Sequence, residues 1–311
     1  MELSWHGITA TPKNPREIDI GLSTHEDYIL NNVDGLAVPG EVLAIMGASG
    51  SVRINGFEID KPTLRKVSAY AQQKDLLIGT MTVIEHLRFM AALRTSPDYT
   101  ADEQEEKVQA IMAELGLSHI ADTIIGWPHR LKGISGGERK RLSLASEILS
   151  SPSVLLCDEP TSGLDAFFTH HVIQVLKDLA RRENMTIVVT IHQPSSRVYE
   201  MFDKLCLLAM GQVIYLGPPN EVYKIFGSAG FPVPEFTNPA EHVIHCLSLN
   251  DDDTIEDHKE RIQKIRYIYN NSSIAKTYDA RLMGSISEGE RLGALNQRET
   301  LQGMLLRGAL N

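Results

Sequence analysis

Residues 153–165 read SVLLCDEPTSGLD. Four apolar residues, Val154 to Cys157, run into two adjacent carboxylates, Asp158 and Glu159, and a Pro-Thr-Ser-Gly turn follows. An apolar run of this length bounded by turn residues predicts a buried strand. A strand that ends in Asp-Glu has one plain meaning, a core strand emerging into water. It also has a chemical meaning, the Walker B arrangement. There the strand end directs Asp158 at a nucleotide-bound Mg²⁺, and Glu159 polarises an attacking water. The segment by itself leaves both open.

Twenty-three residues before Asp158 stands Ser135-Gly136-Gly137-Glu138, heading the helical pattern ISGGERKRLSLASEILS (134–150). Locally this is a capping box, Ser at the N-cap with Glu three residues on. The same geometry suits an anion, because glycines permit close approach and the helix end is positive. Thirty-four residues after Asp158, His192 lies in the apolar run TIVVTIHQP (186–194). It is either a satisfied core histidine or a contact to a γ-phosphate and its attacking water. Gln73 ends VSAYAQQ (67–73), as a surface amide or as a group bearing on the metal. Each signal is weak alone. Their order along the chain, Gln, Ser-Gly-Gly, Asp-Glu, His, is poorly explained by chance.

Around these segments, short apolar runs alternate with helical patterns. Helical periodicity covers Thr82 to about Leu117, then 134–150 and 170–184; apolar runs lie at 41–47, 67–73, 153–160, 186–194 and 206–217. Such alternation predicts an α/β fold with a parallel sheet covered on both faces. LSWHGITA (3–10) reads as a strand, and SVRINGFEI (51–59) as a hairpin about Asn55-Gly56. A boundary is expected near residue 250. Residues 1–250 would form one domain, with a helical subdomain at about 76–150, and 251–311 a charged helical linker or extension.

Composition narrows the function. Of 311 residues, 42% are hydrophobic and 23% charged, ordinary for a globular protein that buries a core. Lys and Arg number 30 against 40 Asp and Glu, a formal charge of −10, and no dense basic patch occurs. Nucleic acid is therefore not expected as a partner. Cys157, Cys206 and Cys246 sit in apolar runs and are odd in number, which suits buried thiols in a reducing compartment. The N-terminus shows no secretory pattern, and the apolar stretches fall well short of the roughly 20 residues that span a bilayer.

Together these motifs resemble the nucleotide-binding domain of ABC transporters. ISGGERKR, DEPTSGLDAF, IHQPSS and FPVPEFTNPAE (231–241) are similar to subfamily G, the half-transporters of the White or eye-pigment-precursor type. The likeness extends over roughly residues 20–250. It implies a P-loop NTPase (RecA-like) core sheet with an antiparallel β-subdomain and a helical signature subdomain. It implies ATP and Mg²⁺ as cofactors, and ATP hydrolysis coupled to transmembrane transport. Ser135, Gly136 and Gly137 would be the signature, Asp158 and Glu159 the Walker B pair, Asp165 the D-loop, His192 the switch histidine and Gln73 the Q-loop. Glu159 would be the general base, Asp158 and Gln73 the groups at the metal, and His192 the contact to the γ-phosphate. The implied partner is a second half-transporter subunit, in a homo- or heterodimer in which each signature closes on the other chain's nucleotide. The implied place is the cytosolic face of a membrane; without a membrane domain, the 311 residues alone would be soluble and cytoplasmic.

Two departures stand out. Members of the family carry G-x-x-x-x-G-K-[ST] after the first core strand. Here Gly47, Ser49 and Gly50 begin that loop, but Val52, Arg53 and Ile54 stand where Gly, Lys and Ser/Thr belong. Because SVRING already reads as the next strand and its turn, a deletion is the economical account. It removes the phosphate-binding lysine, the Mg²⁺-binding hydroxyl and the helix behind them. What remains is long enough for a hairpin-like reversal and too short for a helical crossover. The second departure is that the family's six-helix membrane domain is not among these residues. An impaired or regulatory subunit, lending its signature to an intact partner, is the alternative reading.

Overall fold

The computed structural model describes residues 1–10, 30–46, 52–54, 57–58, 67–73, 76–95, 99–127, 130–250, 253–285 and 287. β1 (Leu3–Ala10) and β2 (Leu30–Ala37) pair antiparallel. β3 (Val42–Met46) enters a different sheet, and β4 (Val52–Ile54) returns to pair with β1, followed by β5 (Phe57–Glu58). The small sheet therefore has the order β2-β1-β4-β5. Ile54 pairs with Phe57, so Asn55 and Gly56 separate β4 and β5 as the hairpin signal predicts. β3 and β4 lie in different sheets, so the expected hairpin-like reversal between them is not found, and residues 47–51 themselves lie outside the described residues.

β6 (Ser68–Ala71) begins the long crossover through α1 (Val83–Arg94), α2 (Ala101–Glu114) and α3 (Gly136–Ile148) to β7 (Val154–Cys157). Each of the three helices opens with a capping box: Thr82 with Glu85, Thr100 with Glu103, Ser135 with Glu138. α4 (Ala166–Arg182) leads to β8 (Thr186–Thr190), and α5 (Ser196–Tyr199) to β9 (Lys204–Ala209) and β10 (Gln212–Gly217). α4 buries Val172, Ile173, Leu176 and Leu179, a stripe at helical spacing, and packs against β3 and β8.

The main sheet has the order β10-β9-β3-β8-β7-β6, parallel except for β10. The α/β reading is borne out. One detail differs: the apolar run 206–217 is split between two antiparallel strands. Met210 (φ 49°) and Gly211 (φ 72°) are both left-handed, as a two-residue hairpin turn of the tight mirror-image kind requires.

Across the sheet, Tyr70, Leu156, Val188 and Leu43 stand side by side in register. Cover along this row grows from Tyr70, which is 50% exposed, through half-buried Leu156 to Val188 at 8% and Leu43 at 1%. The row is open at its β6 end. The five residues between β3 and β4 are too few to lay a helix of several turns against the sheet.

After β10 come α6 (Val222–Ser228), α7 (Pro239–Leu247), α8 (Ile255–Asn270) and helical residues 273–285. α8 packs on α6, α7 and β10, where Tyr269 donates to the Leu216 carbonyl at 3.0 Å.

Candidate functional site

Parallel strands deliver their C-terminal ends to one edge of a sheet, the usual place for a ligand in such folds. Here the ends of β6, β7 and β8 bring Gln73, Asp158, Glu159 and His192 together. The Gln73 amide donates from Nε2 to Glu159 Oε2 at 2.8 Å, and His192 Nε2 lies 3.0 Å from Glu159 Oε1. Glu159 has φ 47° and Gln193 φ 44°, left-handed conformations that cost non-glycine residues strain and gather at functional sites. The Glu159 N–H is held by Thr190 Oγ1 at 2.9 Å, and the Thr190 hydroxyl donates to Asp158 Oδ1 at 2.8 Å. Tyr70 donates to the other oxygen, Oδ2, at 3.0 Å. Partial burial and the neighbouring Asp158 carboxylate push the Tyr70 phenol above its ordinary range. The sequence reading did not single out Tyr70 or Thr190. The signal for Thr190 was a hydroxyl ending an otherwise apolar strand; Tyr70 gave none beyond its place two residues before Gln72.

A second cluster forms where α3 and α4 begin. Ser135 Oγ accepts from the Glu138 N–H at 3.3 Å while Glu138 Oε2 accepts from the Ser135 N–H at 2.7 Å. With N3 capped, the first-turn N–H groups of Gly136 and Gly137 remain at the helix mouth. A Cβ on Gly136 would meet nothing within 4 Å, so the chain's own packing does not require glycine there. At Gly137 it would lie 3.2 Å from Leu164 Cδ2, so this glycine lets the turn before α4 pack close to α3. Asp165 caps α4 by accepting from the Phe168 N–H at 2.9 Å. A cleft of about 200 Å³ lies between the two helix starts. Arg141 lines it, buried, its guanidinium 4.0 Å from the Phe168 ring centre and its Nε without a partner.

Lys140 joins the clusters. Its buried ammonium donates to the carbonyls of Gln72 at 3.1 Å and Gln73 at 2.8 Å, tying α3 to the segment that places Gln73. Gly47, Ser49 and Gly50 lie outside the described residues.

Residues 45–162 match the family model described as ABC transporter, and residues 192–282 the one described as ABC-2 type transporter. The chain is 46% identical over 261 residues to the ABC transporter ATP-binding protein/permease wht-1 of Caenorhabditis elegans. It is 41% identical over 273 residues to Protein white of Drosophila melanogaster, and 40% over 272 residues to ABC transporter G family member 13 of Arabidopsis thaliana. The chain belongs to the ABC transporter family, subfamily G.

These alignments cover 76%, 80% and 81% of the chain but 39% of each relative. As a subfamily G chain it has the expected core. The post-hydrolysis dimer of the ATP-binding cassette MJ0796 bound to ADP and Pi superposes with a TM-score of 0.55 at 20% identity. That match covers 70% of this chain and 98% of the cassette, and establishes the P-loop NTPase fold. Among the described residues no helix is long and apolar enough to cross a membrane.

Whether this subfamily G chain fits Mg²⁺-ATP at its own strand ends is decided by the donor set there. Asp158 and Glu159 are met by a phenol, a hydroxyl, an amide and an imidazole, with no lysine or arginine bound to either carboxylate in the described structure. The five residues after β3, Gly-Ala-Ser-Gly-Ser, carry no cation. Among the described residues, a triphosphate at this place faces two carboxylates without a lysine to offset them. The residues do not fit it. The mouth of α3 fits an anion better, with first-turn N–H groups, open space at Gly136 and the buried Arg141 guanidinium beside it.

Proposed function

We propose that this chain serves ATP-driven membrane transport as one nucleotide-binding half of a subfamily G ABC transporter, lending its signature to ATP held by a partner subunit. The contrast between its two clusters carries this reading: an open, positive helix mouth at Ser135–Gly137, against carboxylates at Asp158 and Glu159 that have no phosphate-binding cation among the described residues. In this reading Ser135, Gly136 and Gly137 close on the terminal phosphate of the partner's nucleotide, and Asp165 fixes the D-loop beside it. Glu159, His192, Gln73 and Asp158 occupy the general-base, switch, Q-loop and metal positions of the family. In this chain they act on structure, closing the network that ends β6, β7 and β8.

A second copy of the chain carries the same interrupted P-loop, so the partner is a half-transporter subunit with an intact one. The assembly is a heterodimer at the cytosolic face of a membrane, held there by transmembrane segments outside these 311 residues. Residues 1–250 serve as the nucleotide domain and 251–311 as its charged helical linker.

Calorimetric titration tests this reading. The missing lysine and hydroxyl contacts are worth roughly 1.5–3 kcal/mol apiece, so together they weaken binding by roughly 10² to 10⁴. The chain alone is expected not to saturate with micromolar Mg²⁺-ATP. The chain mixed with a P-loop-intact subfamily G nucleotide domain is expected to bind it more tightly than that domain alone. Micromolar affinity in the isolated chain contradicts the reading.

A further inference from the structure

A cavity opens where the small sheet meets the main one, away from both clusters described above. The Asn31 N–H donates to the Gly211 carbonyl at 2.7 Å and joins β2 to the β9–β10 turn. α8 and helical residues 273–285 close over this junction. Tyr269 pins α8 through its bond to the Leu216 carbonyl, and its ring centre lies 5.3 Å from that of Tyr215. A Cβ on Gly217 would lie 3.0 Å from Ile274 Cγ2, so the second helix sits close against the end of β10. The walls are thus held by the fold itself.

The cavity measures about 130 Å³. Its apolar lining comes from Leu36, Leu216, Tyr269 and Leu282, all of them buried. Its charged lining has both signs: Arg266 from α8, Asp34 from β2 and Asp279 from the helix that follows. Arg266 Nε is buried and has no hydrogen-bond partner among the described residues. Among the same residues the guanidinium forms no ion pair with Asp34 or Asp279. Asp34 is fixed from β1, its Oδ1 accepting from the Gly7 N–H at 2.7 Å and lying 2.5 Å from His6 Nδ1. Native folds leave few buried N–H groups without an acceptor, so Arg266 points to a group from outside the chain.

We infer that this cavity is a binding site for a small apolar α-amino acid. The ligand's carboxylate pairs with Arg266, its ammonium faces Asp34 and Asp279, and its side chain fills the apolar part. A ligand of one sign answers only half of this lining. An anion on Arg266 meets two carboxylates nearby, and a cation between the carboxylates meets the guanidinium. A zwitterion whose two charges share one carbon answers both. Size sets the side chain. An apolar cavity of about 150 Å³ takes one benzene ring, so roughly six to eight non-hydrogen atoms fit here. That range runs from alanine to valine and excludes tryptophan. Walls already held by Tyr269 and Gly217 lose little freedom when the ligand enters. None of these residues belongs to the signature or to the strand-end carboxylates, so the site stands apart from the nucleotide reading.

Calorimetry on the full chain tests the site with L-valine, isovalerate, isobutylamine and L-tryptophan. Isovalerate is valine without its ammonium, and isobutylamine is valine without its carboxylate. L-Valine is expected to bind, each one-ended analogue roughly tenfold more weakly, and L-tryptophan not at all. Arg266→Gln should weaken L-valine about tenfold and leave isobutylamine unchanged. Asp279→Asn, on an exposed side chain, should weaken L-valine severalfold and leave isovalerate unchanged. Thermal unfolding alongside shows that the variants are folded, and millimolar L-valine should raise the melting temperature of the unaltered chain more than theirs. Equal binding of L-valine and isovalerate would make the cavity an anion site and overturn the proposal. So would no binding of L-valine at millimolar concentration, or unchanged L-valine affinity in both variants.

Discussion

Lys140 donates to the main-chain carbonyl of Gln73 at 2.8 Å, so the helix that carries the signature also holds the Q-loop. The Gln73 amide in turn reaches Glu159, and Glu159 reaches His192. Three successive cations of α3 thus grip three segments: Arg139 the carbonyls of Ile125 and Gly126, Lys140 those of Gln72 and Gln73, and Arg141 the ring of Phe168 in the first turn of α4.

Lys140→Met is expected to release the Q-loop. Two charge-assisted bonds are lost and two carbonyls are left without their donor, a cost of roughly 2–4 kcal/mol. Urea unfolding should show a lower midpoint with an unchanged slope, and hydrogen exchange should quicken at residues 70–73. Unchanged exchange there would mean that the Q-loop is held by something else.

Gly136→Ala should separate stability from function. A Cβ there meets open space, and alanine favours a helix over glycine by roughly 0.5–1 kcal/mol. The melting temperature should therefore hold or rise, while ATP-dependent pairing with an intact partner declines. Gly137→Ala, which would press Leu164 at 3.2 Å, should lower the melting temperature instead.

Stability should fall in mild acid because of His86. It is buried on α1, its Nε2 3.2 Å from Ser146 Oγ, and its Nδ1 has no partner. Burial first, then the Arg94 charge, lowers its pKa from 6.5 to about 4. The unfolded chain then binds the proton more readily, so the contribution of neutral His86 is complete above about pH 6.5. It is lost as the pH falls toward 4. His86→Leu should flatten the stability profile across that window, and an unchanged slope would place the acid sensitivity elsewhere.

Adjacent leucines of β7 should respond unequally. Leu155 is fully buried, and Leu155→Ala should cost roughly 2–5 kcal/mol by transfer and cavity terms. Leu156 lies in the row that opens toward Tyr70, and Leu156→Ala should cost clearly less. Equal losses in chemical denaturation would mean the row is covered after all.

Much of this was legible in the chain. The alternation of apolar runs and helical periods announced the parallel sheet, and the Ser135–Glu138 capping box marked the start of α3. The cluster of Gln73, Asp158, Glu159 and His192 was legible because Gln73 follows β6, Asp158 and Glu159 follow β7, and His192 follows β8. What stayed hidden depends on partners far apart in sequence. Nothing near Lys140 announces that its ammonium caps carbonyls 67 and 68 residues away. Thr190 reads as a β-branched strand former until its hydroxyl is seen between Asp158 and the Glu159 N–H. The turn between β9 and β10 escaped because Met210 is an unusual residue for a left-handed conformation.

The central claim is that this chain acts through its signature and not through its own carboxylates. ATP hydrolysis by the chain paired with a P-loop-intact subfamily G subunit tests it most directly, measured with Ser135→Arg and Glu159→Gln placed singly in this chain. The account predicts that Ser135→Arg abolishes turnover, because a bulky side chain fills the helix mouth where the phosphate approaches. It predicts that Glu159→Gln leaves turnover nearly unchanged. Loss of activity with Glu159→Gln and its survival with Ser135→Arg would contradict the account, because the interrupted P-loop would then be holding the nucleotide that is hydrolysed.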